Sequence, residues 1–444
     1  MTKRNLINIM LALGVGYLVS VMTDASREVQ LGLGLFACIA WLWISEALHV
    51  SVTALLVPLL ASLLGLLSVK ASLTNFSNPV IYLFMGGFAL AAVLQKFGLD
   101  RLFAVRVLRL SRGSPLVATI MLFLTTALLS MWISNTATVA MMLPLALGLL
   151  EGRDAEKEPG LFLFVLLGLA YAGNIGGMTT LIGSPPNAIA ASAVGLDFSD
   201  WLAFGVPAFL LLFPLMILLL LILIRPSFGA ALTLAESEHL PTEGRGLALT
   251  IFGLTATGWV MSAPLASLMG ITGGFDTLIA IGAIVLLIGT GCLTFREFSA
   301  KVNWGILLLF GGGLTLSTVL QETGTSAYLA ATIVEILPVD NEYLILLILC
   351  LFVIFLTELV SNTASAALLV PLFVTVAAGF GYSETNMAVM VAICASCAFM
   401  LPVATPPNAL VFATGHVPQR QMMRTGLALN LTFALVLALL FRLL

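Results

Sequence analysis

Two Ser-Asn-Thr triplets, Ser134-Asn135-Thr136 and Ser361-Asn362-Thr363, interrupt stretches of the chain that are otherwise apolar. Two Pro-Pro-Asn triplets do the same, Pro185-Pro186-Asn187 and Pro406-Pro407-Asn408, trailing the first pair by 51 and 45 residues. None of these groups titrates near neutrality, so the chemistry they offer is the binding of ions and polar solutes. Asn and Thr at a chain reversal favour helix caps, and proline suits a first helical turn but not a helix interior. Each triplet therefore reads as the start of a helix. Helix N-termini attract anions through free N–H groups and the dipole. Carbonyls freed at the preceding helix ends, with Ser, Thr and Asn oxygens, suit a hard monovalent cation such as sodium. An intramembrane enzyme with Ser134 or Ser361 as nucleophile is the competing chemistry. It needs a positioned base, and neither serine has a histidine or lysine at helical spacing. A purely structural role for the breaks is the third reading.

The elements that must hold these residues are set by the lipid bilayer. Of the 444 residues 60% are hydrophobic and 9% charged, and the mean hydropathy is +1.14. No soluble fold covers that much apolar surface, so the chain reads as an all-α polytopic membrane protein. The net charge of −3 leaves no basic footprint for a nucleic acid. Apolar spans are expected near 6–22, 30–48, 50–68, 78–96, 161–193, 201–224, 247–263, 275–293, 303–321, 386–413 and 424–443, about eleven crossings. The first reads as a retained helix, because no small-residue cleavage site follows it. Two longer segments, about 115–150 and 342–380, carry the Ser-Asn-Thr triplets near their middles. Their halves are short for full crossings, so both read as re-entrant hairpins with the triplet at the tip. With the N-terminus inside, fifteen of the eighteen basic residues fall on the inner side, leaving Arg27, Lys70 and Arg442 outside.

The polar linker 225–246 divides the chain into similar halves. Gly86-Gly87 aligns with Gly312-Gly313, Val93-Leu94-Gln95 with Val319-Leu320-Gln321, and Pro144 with Pro371, at offsets of 226, 226 and 227 residues. The Ser-Asn-Thr triplets are 227 apart and the Pro-Pro-Asn triplets 221. Five crossings and one hairpin per half make the halves inverted-topology repeats, a recurring plan of secondary transporters with broken helices at the repeat interface. The deep spans hold almost no Lys or Arg, which favours cation-coupled anion transport. Glu46 and Glu358 lie in apolar surroundings and are functional candidates by default; Glu46 also suits an interfacial role, and Glu358 suits orientation of the second tip. The glycine pairs suit close packing or kinks. Cys394-Ala395-Ser396-Cys397 reads as packing and not as a redox or metal motif, and His49, His239 and His416 have no metal-ligand spacing.

At these motifs, together with Trp43-Ile44-Ser45-Glu46-Ala47-Leu48, Ile182-Gly183-Ser184 and Ala404-Thr405, the chain resembles the divalent-anion/sodium symporter family over nearly its whole length. The resemblance implies a homodimer in a bacterial-type inner membrane, N-terminus cytoplasmic, that imports C4-dicarboxylates such as succinate, malate or fumarate with sodium. It implies one sodium site at Ser130, Ser134, Asn135 and the Gly183 loop, and a second at Thr357, Ser361, Asn362 and the Ala404 loop. The dicarboxylate is expected at Asn135, Thr136, Asn362 and Thr363, with Pro406 close by. An elevator-type scaffold is expected at 1–112 and 245–337, and a transport part at 113–226 and 338–444. The first clamp carries Ser184 where threonine is common in the family, and His49 stands where proline is expected. A sodium-independent dicarboxylate exchanger and a sulfate or citrate carrier of the same fold are the alternatives.

Overall fold

The computed structural model describes residues 3–109, 111, 114–228, 244–336 and 341–443. Arg112, His239, the centre of the 225–246 linker and the expected boundaries at 112/113 and 337/338 lie outside the described residues. All described regular structure is helical. The first half contains α1 (Lys3–Met22), α2 (Arg27–Ser45), α3 (Val50–Leu63), α4 (Val69–Thr74), α5 (Pro79–Lys96), α6 (Leu99–Arg109), α7 (Pro115–Ser130), α8 (Asn135–Leu149), α9 (Pro159–Gly177), α10 (Pro185–Val194) and α11 (Phe198–Ile224). The second contains α12 (Arg245–Val260), α13 (Ser262–Met269), α14 (Phe275–Gly289), α15 (Phe295–Lys301), α16 (Trp304–Glu322), α17 (Thr325–Ile336), α18 (Glu342–Thr357), α19 (Asn362–Phe380), α20 (Glu384–Ala395), α21 (Pro406–Phe412) and α22 (Gln419–Leu443).

Seven described helices are long and apolar enough to cross a bilayer, or eight if the sharply bent pair α12 and α13 is one span. The other apolar helices are short, and the sequence explains why. The hairpin arms α7 and α8 stop on either side of Ser134, and α18 and α19 on either side of Ser361. The spans expected at 161–193 and 386–413 are broken at their Pro-Pro-Asn triplets, as those triplets imply: α9 ends at Gly177 and α10 starts at Pro185, while α20 ends at Ala395 and α21 starts at Pro406. Proline lacks the N–H that would continue the ladder, so the chain restarts as a new helix with proline in its first turn.

The repeat is visible in the packing as a two-fold-like exchange of partners. Helix α3 packs on α16 and α5 on α14, two contacts that the offset of 226 interconverts. Likewise α9 meets α21 and α20 meets α10, while α8 meets α21 and α19 meets α10. The glycines place this symmetry at atomic scale. A Cβ on Gly86 would lie 2.6 Å from the Ala280 Cβ, and one on Gly312 would lie 2.6 Å from the Ala54 Cβ. Ala54 and Ala280 are themselves 226 residues apart. With no aqueous drive to push helices together inside lipid, close backbone approach at small residues supplies the dispersion contact that holds them. Close packing is thus the role of these glycines, and Gly87 adds a second by opening onto the central cavity.

Candidate functional site

The broken elements converge. A cavity of about 490 Å³ is lined by Ser134, Asn135 and Thr136 from the first tip, Ser361, Asn362 and Thr363 from the second, Gly183 to Pro185 from one break and Ala404 to Pro407 from the other. The remaining wall comes from Phe84, Gly87, Phe88 and Ala91 on α5, from Asn303 and Ile306 at the start of α16, and from Trp132, Asn174 and Ile182. Among the described residues no charged side chain lines it. Its size falls in the usual range of small-ligand sites. One side is therefore polar and built from helix starts, and the other is largely apolar.

Each tip is assembled in the same way. Ser134, and not Asn135 or Thr136, is the N-cap: its Oγ accepts the Ala137 N–H at 3.4 Å. Ser361 Oγ accepts the Ala364 N–H at 3.3 Å. Serine caps leave the N–H groups of the next two residues free of intrahelical partners, so the Asn135–Thr136 and Asn362–Thr363 backbones can donate into the cavity. Behind the tips, Ser130 Oγ lies 2.8 Å from Asn135 Oδ1 and 2.7 Å from the Gly173 carbonyl, with one proton to donate to either. In the second half Thr357 Oγ1 lies 2.9 Å from Asn362 Oδ1 and 2.8 Å from the Ala395 carbonyl, again with one proton for the two. Each group is thus a knot of neutral oxygens. Gly177 makes room for the first, since a Cβ there would lie 2.2 Å from Asn135 Oδ1.

The sequence reading assigned freed carbonyls at the broken helices to a cation, and the structure narrows which ones are available. Asn187 Nδ2 donates to the carbonyls of Gly177 and Thr180 at 2.9 and 2.7 Å. Asn408 Nδ2 donates to Ala398 and Leu401, both at 3.0 Å. The asparagine of each Pro-Pro-Asn triplet is therefore a staple across its own break. It satisfies buried carbonyls that would otherwise be costly, and the cavity is left with the loop at Gly183 and the loop at Ala404.

The two breaks also differ. Glu358, 3% exposed, accepts the backbone N–H groups of Phe399, Met400 and Leu401 at 2.7, 2.8 and 3.0 Å, and Asn430 Nδ2 at 2.7 Å. It does not line the cavity. The carboxylate thus orients the break loop and α22, not the tip. The equivalent position in the first half, 227 residues earlier, is Met131, whose backbone carbonyl instead accepts a hydrogen bond from Thr180 Oγ1. Asn174 was missed by sequence reasoning. It lines the cavity, donates to Thr405 Oγ1 at 3.3 Å and so joins the two repeats, while its own buried Oδ1 has no partner among the described residues. Its signal was a lone polar residue three positions before Gly177, in a helix that is apolar around it. Glu46 is exposed and outside the cavity. The five cysteines are free and buried, and no cluster of His, Cys, Asp or Glu among the described residues could hold a metal ion.

The placement is therefore unambiguous for the expected residues: Ser134, Asn135, Thr136, Gly183, Ser361, Asn362, Thr363, Ala404 and Pro406 line one cavity, and Ser130 and Thr357 stand directly behind it. The model of the citrate transporter family, CitMHS, matches residues 40–393. The chain belongs to that family. Its relatives include an uncharacterized transporter of Haemophilus influenzae, 49% identical over 92% of this chain and 90% of that one. A sodium-dependent dicarboxylate transporter, SdcS, of Staphylococcus saprophyticus is 31% identical over 90% of this chain and 83% of the relative. Among solved structures, the YdaH transporter of Alcanivorax borkumensis superposes with a TM-score of 0.54 at 16% identity, covering 99% of this chain and 97% of that one. That likeness concerns the fold alone. Membership makes the protein an integral membrane carrier of carboxylate-type anions, in agreement with the resemblance carried by the paired tips, and removes the intramembrane-enzyme reading.

Proposed function

We propose that the protein is a sodium-coupled secondary transporter that imports C4-dicarboxylates such as succinate, malate or fumarate by alternating access. The observation that carries this reading is the pairing of two capped tips across one cavity that no charged side chain among the described residues lines. An anion there is held by N–H groups, amides and helix dipoles, and its charge calls for co-bound cations. Two sodium ions serve that need, one at Ser130, Ser134, Asn135 and the Gly183 loop, the other at Thr357, Ser361, Asn362 and the Ala404 loop. The dicarboxylate lies between Asn135, Thr136, Asn362 and Thr363, with Pro406 beside it. The proline-led helices add dipole but no N–H in their first two positions, so the tips do most of the anion binding.

The split wall supports a moving part, about 113–226 and 338–444, that carries the polar face past a fixed part, about 1–112 and 245–337, whose exposed wall is mainly Phe84, Phe88, Ala91 and Ile306. Apart from Asn303, that wall offers no side-chain hydrogen bonds to break during such a slide. The fixed part forms a homodimer in the inner membrane, N-terminus in the cytoplasm. The test is uptake of labelled succinate into proteoliposomes. An inward sodium gradient is expected to stimulate it; uptake that needs internal dicarboxylate and ignores sodium makes the protein an exchanger. Because the matching family is described as citrate transporters, citrate is the second substrate to compete, and displacement of succinate by citrate but not by malate moves the assignment to tricarboxylates.

A further inference from the structure

A second cavity, about 420 Å³, opens between α6, α7 and α12. It contains none of the residues assigned to the anion or sodium sites. Its walls are chiefly leucine and phenylalanine, and two helices present the same pattern to it. On α6, Leu99, Leu102, Phe103 and Arg106 all line the cavity and follow the i, i+3, i+4, i+7 spacing of one helical face. On α12, Leu249 and Phe252 line it, and Arg245 precedes them by one turn on the same face. Each stripe is thus an apolar run with an arginine at one end. Arg106 is exposed and has no ion-pair partner among the described residues. Arg245 is partly buried, and its Nε and one Nη are shielded from solvent without a hydrogen-bond partner among the described residues. A guanidinium that is only partly hydrated favours an anion nearby. Asp100 also lines the cavity, but its carboxylate is turned to the backbone, accepting the Arg101 N–H at 2.8 Å at the start of α6.

The charge is specific to this side of the molecule. Helix α17 corresponds to α6 in the other half and contains no lysine or arginine. By the inner-side bias of the basic residues, α6 and the start of α12 lie at the inner face, where membranes expose anionic head groups. We propose that this cavity is a binding site for an anionic phospholipid, with an acyl chain among Leu99, Phe103, Leu249 and Phe252 and the phosphate at Arg106 and Arg245. The site is independent of the dicarboxylate reading. Its consequence for transport comes through Trp132, which lines both this cavity and the central one and lies two residues from Ser134. An acyl chain seated here rests against the back of the first tip.

The test uses Trp132 as reporter. Phosphatidylglycerol with brominated acyl chains, titrated into the purified full-length protein, is expected to quench tryptophan fluorescence at lower mole fraction than brominated phosphatidylcholine, and Trp132→Phe is expected to remove that component. Arg106→Gln and Arg245→Gln are each expected to weaken the phosphatidylglycerol quenching about fivefold, the contribution of one basic residue at an anionic membrane surface. Equal quenching by the two lipids, or quenching indifferent to both substitutions, overturns the proposal. Formation of covalent dimers through Leu249→Cys overturns it as well, because the groove would then be covered by a second copy. If Arg245→Gln does not fold, the exposed Arg106 still decides the matter alone.

Discussion

Asn135 and Asn362 each do two things at once: the side-chain oxygen can accept from Ser130 or Thr357, and the same residue opens a helix toward the cavity. Replacing either with alanine removes an amide from both proposed ligands. Expected is a loss of about 2 kcal/mol in binding, roughly thirtyfold in apparent affinity, with most transport gone and the protein still folded; unchanged uptake by the single variants contradicts the assignment. Glu358 acts at one remove. Four donors converge on its carboxylate, and Glu358→Ala leaves them buried without an acceptor. We expect that variant to lose about 3 kcal/mol of stability, with Asn430→Ala losing less, and sodium activation to weaken because the Ala404 loop is no longer held. The tips were legible in the sequence because a polar triplet in lipid is conspicuous and its repetition at equal offset more so. The staples Asn187 and Asn408 were visible as motif members, but their task was not, since their partner carbonyls carry no sequence signature. Asn174 was hidden because its partner Thr405 lies 231 residues away.

Among elements, the crossings of α5 with α14 and of α16 with α3 give the sharpest test of the repeat. Gly86→Ala puts a methyl group 2.6 Å from the Ala280 Cβ, and Gly312→Ala does the same to Ala54. Each should cost about 1–3 kcal/mol by overpacking, and Ala280→Gly or Ala54→Gly should return little of it, because backbone atoms also stand in the way: Ala280 Cα at 2.9 Å, and Ala54 O and Cα at 2.5 and 2.7 Å. Melting temperatures of Gly86→Ala and Gly312→Ala check this; an unchanged value for either variant refutes the symmetric crossing. A second link joins α5 to α15. The Lys96 ammonium 2.8 Å from Glu297, with the Thr294 N–H, holds that carboxyl down at about 2, against an ordinary 4.5. A lowered value means the stabilisation is complete above the ordinary carboxylate pKa and fades as pH falls toward about 2. Glu297→Gln should therefore lower the melting temperature slightly and equally from about pH 6 to 8, and the gap should close in acid. Helix existence was readable from apolar runs, and the Pro-Pro-Asn triplets marked where α10 and α21 start, but not where the preceding helices stop. A hydropathy window averages over Gly177 to Pro185 and Ala395 to Pro406, where helix starts and stops alternate within a few residues.

For the whole molecule, duplication explains both the fold and the site. A single half offers one tip and one proline-led break, and neither can enclose an anion; the exchange of partners between halves brings two of each to one cavity. The anion then meets neutral donors only, so its binding should be conditional on cations that arrive with it. Because a ligand that binds the native state raises its apparent stability, thermal unfolding of the purified protein reads this conditionality directly. Succinate should raise the melting temperature in sodium and leave it unmoved in potassium or choline, and the shift should vanish in Asn135→Ala and in Asn362→Ala. A succinate-dependent shift of equal size without sodium, or one that survives both substitutions together, would contradict a shared pocket in which uncharged tips hold anion and cation jointly.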